Sequence, residues 1–186
     1  MSSAFIYQPH VRQSDGTIVT PDIAIERVFA SGPDKLAPVP VSRLISSAVR
    51  QQTEETPVGA PAVVLAAASY GMLISVGVIY SDSLWVAREA WRYDDIRDGY
   101  DDVRLRSWIV RNGGREVFVS GRLGALVSPA NALQELGNPS GLRPGAMVFL
   151  GHTARFGECI PATRFEIALE ASGRYLRCGF GLEKIG

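Results

Sequence analysis

The chain has 186 residues, of which 46% are hydrophobic, and its 19 basic residues are balanced by 19 acidic ones. This length and composition suit one globular domain and exclude a disordered chain. The zero formal net charge and the scattered arginines give no reason to expect nucleic acid as a partner. Only Lys35 and Lys184 are lysines, a skew that is typical of a GC-rich bacterial genome.

The N-terminal region lacks the basic and apolar segments of a signal peptide, so we expect a cytoplasmic protein. Two short strands are predicted around the turn Ser14–Gly16, and the proline-rich stretch 31–42 predicts an extended connector. We therefore expect a single domain over 1–186. Its parts are N-terminal strands with the connector, residues 1–38, and a core, residues 39–186.

The middle of the chain is its most apolar region. Residues 42–52 have apolar spacing typical of a helix, although their β-branched content leaves a strand open. The stretch 60–80 is long enough to cross a membrane, but the Ser69–Gly71 turn at its centre favours a hairpin of two buried strands, and we expect no membrane association. Residues 83–96 are predicted to be partly helical.

The second half shows clearer patterns. Alternating side chains predict a hairpin over 103–121, with Asn112-Gly113 as its turn, and a second hairpin over 163–182. A serine cap followed by proline predicts a short helix over 128–136, and 146–153 is predicted as a buried strand. Together these elements predict a β-dominated α+β domain whose strands are nearly all antiparallel.

Several kinds of site are absent from the sequence. There is no phosphate-binding loop, no dinucleotide-binding glycine motif and no nucleophile elbow. Cys159 and Cys178 have no paired-cysteine spacing and are interpreted as reduced structural thiols. With His10 and His152 as the only histidines, a His/Cys zinc site lacks ligands.

Three segments resemble the fumarylacetoacetate hydrolase superfamily. The stretch "LRPGAMVFLGHTARFGECIPATRFEIALE" is similar to its C-terminal signature, and "AWRYDDIRDGYDDVRLRSWIV" and "GRLGALVSPANAL" resemble an uncharacterised bacterial branch of it. The resemblance covers roughly Val39 to Leu182. It implies a β-rich roll or barrel with a few short helices, usually dimeric, so a homodimer is expected. In catalytic members, carboxylates hold Mg²⁺ or Mn²⁺ against a 2-oxo or enol acid.

The sequence departs from the metal-binding motifs that the resemblance implies. Pro61 and Val63 stand at about the places of two expected glutamates, and Gly99 replaces an expected histidine. Because oxygen ligands and their charge determine affinity for hard cations, no Mg²⁺ or Mn²⁺ cofactor is expected. A rebuilt site is conceivable from the five aspartates between residues 94 and 102. However, a solvated face balanced by Arg92, Arg97 and Arg104 is the favoured interpretation.

The candidate site residues follow from the same resemblance. His152 is a candidate general acid or base, and Tyr80 and Asp82 fall where the superfamily has polar active-site groups. The alternatives are a turn histidine bonded to the backbone and structural roles for Tyr80 and Asp82. Candidate substrate-binding residues are Thr153, Arg155, Arg106 and Trp91. The alternatives are surface positions for the arginines and a core or dimer contact for the tryptophan.

Three functions stay open on this basis. The favoured one is a metal-independent isomerase, cyclase or C–C lyase acting on a small oxo/enol or polyketide-like substrate in bacterial secondary metabolism. The others are a non-catalytic small-molecule binding protein and a structural partner of a catalytic paralogue.

Overall fold

The computed structural model describes residues 4–31, 36–46, 49–52, 59–80, 83–111, 114–126, 142–151, 164–171 and 173–184. Strands dominate these ranges, with one short α-helix, α1 (Leu123–Leu126), and 3-10 turns at Val41–Arg43, Tyr93–Asp95 and Arg97–Asp102. The strands are β1 (Phe5–Tyr7), β2 (His10–Arg12), β3 (Ile18–Val19), β4 (Ile23–Ile25), β5 (Arg27–Ser31), β6 (Leu36–Val39), β7 (Leu44–Ile45), β8 (Val49–Gln52), β9 (Gly59–Ala68), β10 (Gly71–Tyr80), β11 (Leu84–Val86), β12 (Glu89–Arg92), β13 (Arg104–Arg111), β14 (Gly114–Arg122), β15 (Ala146–Gly151), β16 (Arg164–Ala171) and β17 (Arg174–Lys184).

The larger sheet is built around an apolar hairpin. Its strand order is β3-β2-β12-β10-β9-β15-β5-β6, with β11 beside β10 and β7 beside β11. In the hairpin, β9 and β10 pair from Gly71 opposite Ala68 to Tyr80 opposite Gly59. Gly71 has a φ of 137°, which only glycine adopts readily. The predicted hairpin is thus confirmed, and no helix in the described part of the chain is long and apolar enough to cross a membrane.

The smaller sheet has the order β14-β13-β16-β17-β8 and contains both predicted C-terminal hairpins. One of its faces packs against the larger sheet, because Leu105, Ile167 and Phe180 share a buried cluster with Val63 and Val78 of the larger sheet. A second apolar cluster covers the opposite face of the larger sheet, beneath the β1–β4 ribbon. The larger sheet is therefore buried on both faces, which explains its nearly continuous apolar strands.

Two predictions about the fold need correction, and one open alternative is resolved. The sheets are not closed into a barrel among the described residues. Residues 83–96 are mainly strands β11 and β12, and the helical turns begin only at Tyr93. The open choice for 42–52 resolves as a 3-10 turn followed by β7 and β8. In both segments the β-branched and aromatic side chains fit a pleated, buried surface better than a helix.

The pairing is also less uniform than expected. Four strand pairs are parallel among those described: β2 with β12, β5 with β15, β7 with β11, and β8 with β17. Each joins an N-terminal strand to a strand far along the chain, so no short connection forces an antiparallel arrangement. The predicted helix at 128–136 and the Asn112-Gly113 turn lie outside the described residues.

Candidate functional site

Three strands of the larger sheet have a terminus at the same end of the sheet, where β10 and β15 end and β9 begins. Strand β10 ends at Tyr80, opposite Gly59 at the start of β9, and β15 ends at Gly151, opposite Ala62. Antiparallel neighbours place the carboxyl end of one strand beside the amino end of the next. We call this place the β10 edge. Gly151, which precedes His152, is level with Gly77 of β10, so Tyr80 and His152 follow strands that run toward the same end of the sheet with β9 between them.

Tyr80 is held at the β10 edge by aromatic packing. Its side chain belongs to the core between the sheets and is 2% exposed. Its ring meets that of Trp85 at 5.5 Å and 65°, and Trp85 in turn meets Phe180 of the smaller sheet at 6.2 Å. Ser83 supports both residues, since its carbonyl accepts a hydrogen bond from the Tyr80 backbone and its hydroxyl accepts one from Trp85 Nε1, each at 2.9 Å. The hydroxyl of Tyr80 is therefore carried by a fixed ring.

The described residues at the β10 edge do not fit a divalent cation. Pro61 and Val63 are both buried, and Val63 is part of the apolar core. None of β9, β10 and β15 contains an aspartate or glutamate. Throughout the described ranges, no three His, Cys, Asp or Glu side chains lie together in a way that could hold a metal. A hard cation needs several oxygen ligands, and these strands supply no carboxylate.

The acidic segment 94–102 is mainly a solvated face, in line with the favoured interpretation. All five of its aspartates are exposed as residues, but the side chain of Asp95 is only 20% exposed because it lies against Arg174. Arg97 is a partner as predicted, and two other arginines replace the expected Arg92 and Arg104 among the described ion pairs. The pairs are Asp94 with Arg97 at 3.7 Å, Asp95 with Arg174 at 3.6 Å and Asp102 with Arg122 at 3.6 Å.

The structure separates Trp91 and Arg106 from Tyr80. Trp91 is 0% exposed in the core between the sheets, with the Arg174 guanidinium 5.0 Å from its ring centre. Arg106 follows Leu105 on β13, and because Leu105 faces the shared core, alternation turns Arg106 to the opposite face. The substrate-binding roles of both residues stay predictions. Four other predicted site residues lie outside the described ranges: Asp82, His152, Thr153 and Arg155.

A cavity that the sequence did not reveal lies beside the row of aromatic rings formed by Tyr80, Trp85 and Phe180. Its volume is about 430 Å³, and Phe180, which contacts Trp85, forms part of its wall. Arg88, Glu89 and His10 also line it. The sequence signal is the charged Arg88-Glu89 pair inside an otherwise apolar stretch, but that stretch predicts a partly helical segment and not a cavity wall.

A family model described as "Protein of unknown function (DUF2848)" matches residues 73–180, more than half of the chain. No curated protein is similar enough in sequence to match. Solved structures show a clear likeness in fold. A fumarylacetoacetate isomerase/hydrolase candidate from Oleispira antarctica has a TM-score of 0.60 at 12% identity, over 93% of this chain and 99% of that one.

Two further structures have the same fold. A fumarylacetoacetate hydrolase family protein from yeast has a TM-score of 0.61 at 11% identity, over 87% of this chain and 94% of that one. A 2-keto-3-deoxy-D-arabinonate dehydratase, solved in its apo form, has a TM-score of 0.55 at 12% identity, over 93% of this chain and 86% of that one. The predicted fumarylacetoacetate-hydrolase-like fold is confirmed.

Proposed function

The chain belongs to the DUF2848 family, and from that premise we propose that it is an enzyme acting on a small oxo or enol acid without a metal ion. The reaction is an isomerisation, cyclisation or C–C cleavage in bacterial secondary metabolism, and the substrate lies at the β10 edge. Support comes from the fold, which is shared with hydrolase, isomerase and dehydratase proteins.

One observation carries the metal-independent part of this proposal. The three strands that meet at the β10 edge contain no carboxylate, and β10 ends there at Tyr80, to whose hydroxyl we assign the contact with the substrate. A hydroxyl that donates to a substrate carbonyl stabilises the enolate that forms when the neighbouring C–H loses its proton. In an apolar, water-poor surrounding, such a donor acts more strongly than in water. Tyr80 thus takes the charge-stabilising role that a cation would have.

The remaining steps need a proton acceptor. We assign this role to His152, which follows β15 directly, because histidine is the side-chain type suited to accepting and returning a proton. His152 takes the proton from the carbon beside the carbonyl and returns it to another position of the enolate. The net result is an isomerisation with no change in oxidation state. Asp82, two residues after Tyr80, is the candidate that orients the histidine.

The test is a substrate screen followed by variants. Purified protein is incubated with 2-oxo, 2,4-dioxo and β-oxo acids, in EDTA or in added Mg²⁺ or Mn²⁺, and turnover is followed by NMR. We expect equal turnover in EDTA and with metal. Tyr80→Phe should lower kcat by about 10²-fold, the usual effect of removing one oxyanion donor. His152→Ala should lower it further, and Tyr70→Phe, an exposed tyrosine at the β9–β10 turn, should have no effect.

A requirement for added metal would overturn the proposal, as would unchanged kcat in both the Tyr80 and His152 variants. A second function is supported by the cavity of about 430 Å³ and by the burial of Tyr80, which is 2% exposed and packs in the core. It is a non-catalytic small-molecule binding protein. In that case a compound from the same screen raises the melting temperature and is recovered chemically unchanged.

A further inference from the structure

A bulge of two extra residues lies in the chain opposite β10, where β11 is followed by β12. Gly77 pairs with Val86 on β11, and Ile74 pairs with Trp91 on β12. Between these pairs β10 has two residues, whereas the opposite chain has four, residues 87–90. We call this insertion the 87–90 bulge. Bulges of this kind redirect a side chain away from the sheet and are common beside functional sites.

Buried hydroxyl groups hold the bulge in place. The Ser75 hydroxyl donates to the Glu89 carbonyl at 2.6 Å, and the Tyr7 hydroxyl donates to the Ala87 carbonyl at 2.7 Å. Both Ser75 and Tyr7 are buried, at 2% and 0% exposed. The carbonyls that the insertion removes from the ladder are thus satisfied by side chains, so the bulge is a fixed part of the sheet.

The bulge places two basic side chains next to each other. His10 of β2 pairs with Glu89 in parallel register, and the His10 backbone donates to the Arg88 carbonyl at 2.6 Å. Both His10 and Arg88 are exposed, and both line the cavity of about 430 Å³. Its floor is apolar and buried, formed by Val86, Ala87 and Phe180.

The charges around the cavity leave Arg88 available. Arg177 is engaged by Glu166, and Glu89 is engaged by Arg12 at 3.8 Å. Within the described residues, the side chains of Arg88 and His10 form no hydrogen bond or ion pair. The mouth of the cavity therefore has an unneutralised guanidinium above an apolar floor.

We propose that the cavity behind the 87–90 bulge binds a small carboxylate with an apolar body, such as an aryl carboxylate. The guanidinium of Arg88 has the planar pair of donors that matches a carboxylate, and the floor accepts a ring. The cavity volume lies within the range of small-molecule sites. Tyr80 does not line this cavity, so the site is additional to the proposed reaction centre.

The experiment uses benzoate as the probe on the full chain. Binding is measured by calorimetry and by ligand-observed NMR, with benzamide, benzylamine and inorganic phosphate as comparison compounds. Benzoate should bind, and benzamide and benzylamine should bind much more weakly, since they lack the negative charge. Arg88→Gln should weaken benzoate binding by at least about tenfold, the loss expected for a hydrogen-bonded charge pair.

The matched control is Arg104→Gln, which removes an exposed arginine from β13 and should leave benzoate binding unchanged. Arg88→Lys keeps the charge without the fork and should bind with intermediate affinity. Equal binding by wild type and Arg88→Gln would overturn the proposal, as would phosphate binding without benzoate binding, or no benzoate binding at all. These readouts need no turnover, so they fail or succeed independently of the proposed reaction.

Discussion

The guanidinium of Arg174 lies 5.0 Å from the ring centre of Trp91, and it connects the two sheets. Arg174 begins β17 of the smaller sheet, and Trp91 belongs to β12 of the larger one. The same guanidinium donates to the Arg12 carbonyl at 2.7 Å and lies 3.6 Å from Asp95. The Trp-Arg-Tyr-Asp-Asp segment, residues 91–95, thus contributes a ring and a carboxylate to an inter-sheet contact.

Removing this contact should cost stability. We expect Arg174→Ala to lower the free energy of unfolding by about 2–3 kcal/mol, because a cation–π contact and a charged hydrogen bond are lost from a side chain that is 18% exposed. Urea unfolding followed by tryptophan fluorescence measures the change. Arg97→Ala removes an ion pair from a side chain that is 64% exposed and should change stability by less than about 0.5 kcal/mol. Equal losses in the two variants would contradict the connection described here.

Gly77 should tolerate no side chain. A Cβ atom there would meet the Trp85 carbonyl oxygen, and it would lie 2.9 Å from Val64 Cγ2 and 3.0 Å from Phe149 Cε1. We expect Gly77→Ala to lower the melting temperature sharply or to prevent folding, at a cost of about 3 kcal/mol or more. Gly99→Ala is the matched control, since no heavy atom lies within 4 Å of its added Cβ. Thermal unfolding measures both variants, and an unchanged melting temperature for Gly77→Ala would contradict the crowding at this position.

Two buried serines should respond differently to the same substitution. Ser107 is 0% exposed, and its hydroxyl has no hydrogen-bond partner in the described part of the chain. Ser107→Ala removes an unsatisfied polar group, so we expect unchanged or higher stability, by up to about 1 kcal/mol. Ser75→Ala leaves the Glu89 carbonyl without its donor and should cost about 1–3 kcal/mol. Chemical denaturation of the pair measures both changes, and a destabilised Ser107→Ala would refute the first.

Buried tyrosines should make the protein sensitive to alkali. Burial raises the pKa of Tyr7, against the opposing effect of its hydrogen bond with Ser75, and burial also raises the pKa of Tyr100. Above about pH 10 the unfolded chain loses these phenolic protons while the folded chain keeps them, so deprotonation favours unfolding. Stability should be insensitive to these groups below about pH 10. It should fall by up to about 1.4 kcal/mol per pH unit for each tyrosine above that pH.

The measurement is urea unfolding at several alkaline pH values. Tyr7→Phe should have a shallower dependence on pH than the wild type, although it begins from lower stability because the bond to the Ala87 carbonyl is lost. Identical pH slopes for the two proteins would show that Tyr7 does not stay protonated in the fold.

The elements that could be predicted from the sequence are those whose signal is local. The β9–β10 and β16–β17 hairpins combine apolar or alternating strands with a turn, so their pairing could be predicted without the rest of the molecule. The strands β11 and β12 were missed because the 87–90 bulge inserts Arg88 and Glu89 and breaks the period of two. Alternation can be recognised only when β11 and β12 are treated as separate strands, and this requires knowing that β10 pairs with each of them.

The candidate site was partly accessible to the same reasoning. Tyr80 was placed correctly at the end of a buried strand, because strand ends follow from apolar runs. The cavity beside Arg88 could not be predicted, since His10 and Phe180 reach it from opposite ends of the chain. Trp91 illustrates a second limit: an aromatic ring has the same pattern whether it contacts a substrate or an arginine from another sheet.

The parallel pairing of β8 with β17 has a consequence for biosynthesis. Gly181 of β17 lies opposite Val49, and Lys184 lies opposite Gln52. On a ribosome, β8 emerges long before β17, its described partner in the sheet, has been translated. Strands β2 and β5 can pair early with β3 and β6, although their parallel partners β12 and β15 follow later in the chain. Strand β8 therefore stays unpaired until nearly the whole polypeptide has left the exit tunnel. We expect nascent chains truncated before residue 174 to recruit chaperones, and refolding to be slow for a protein of this size.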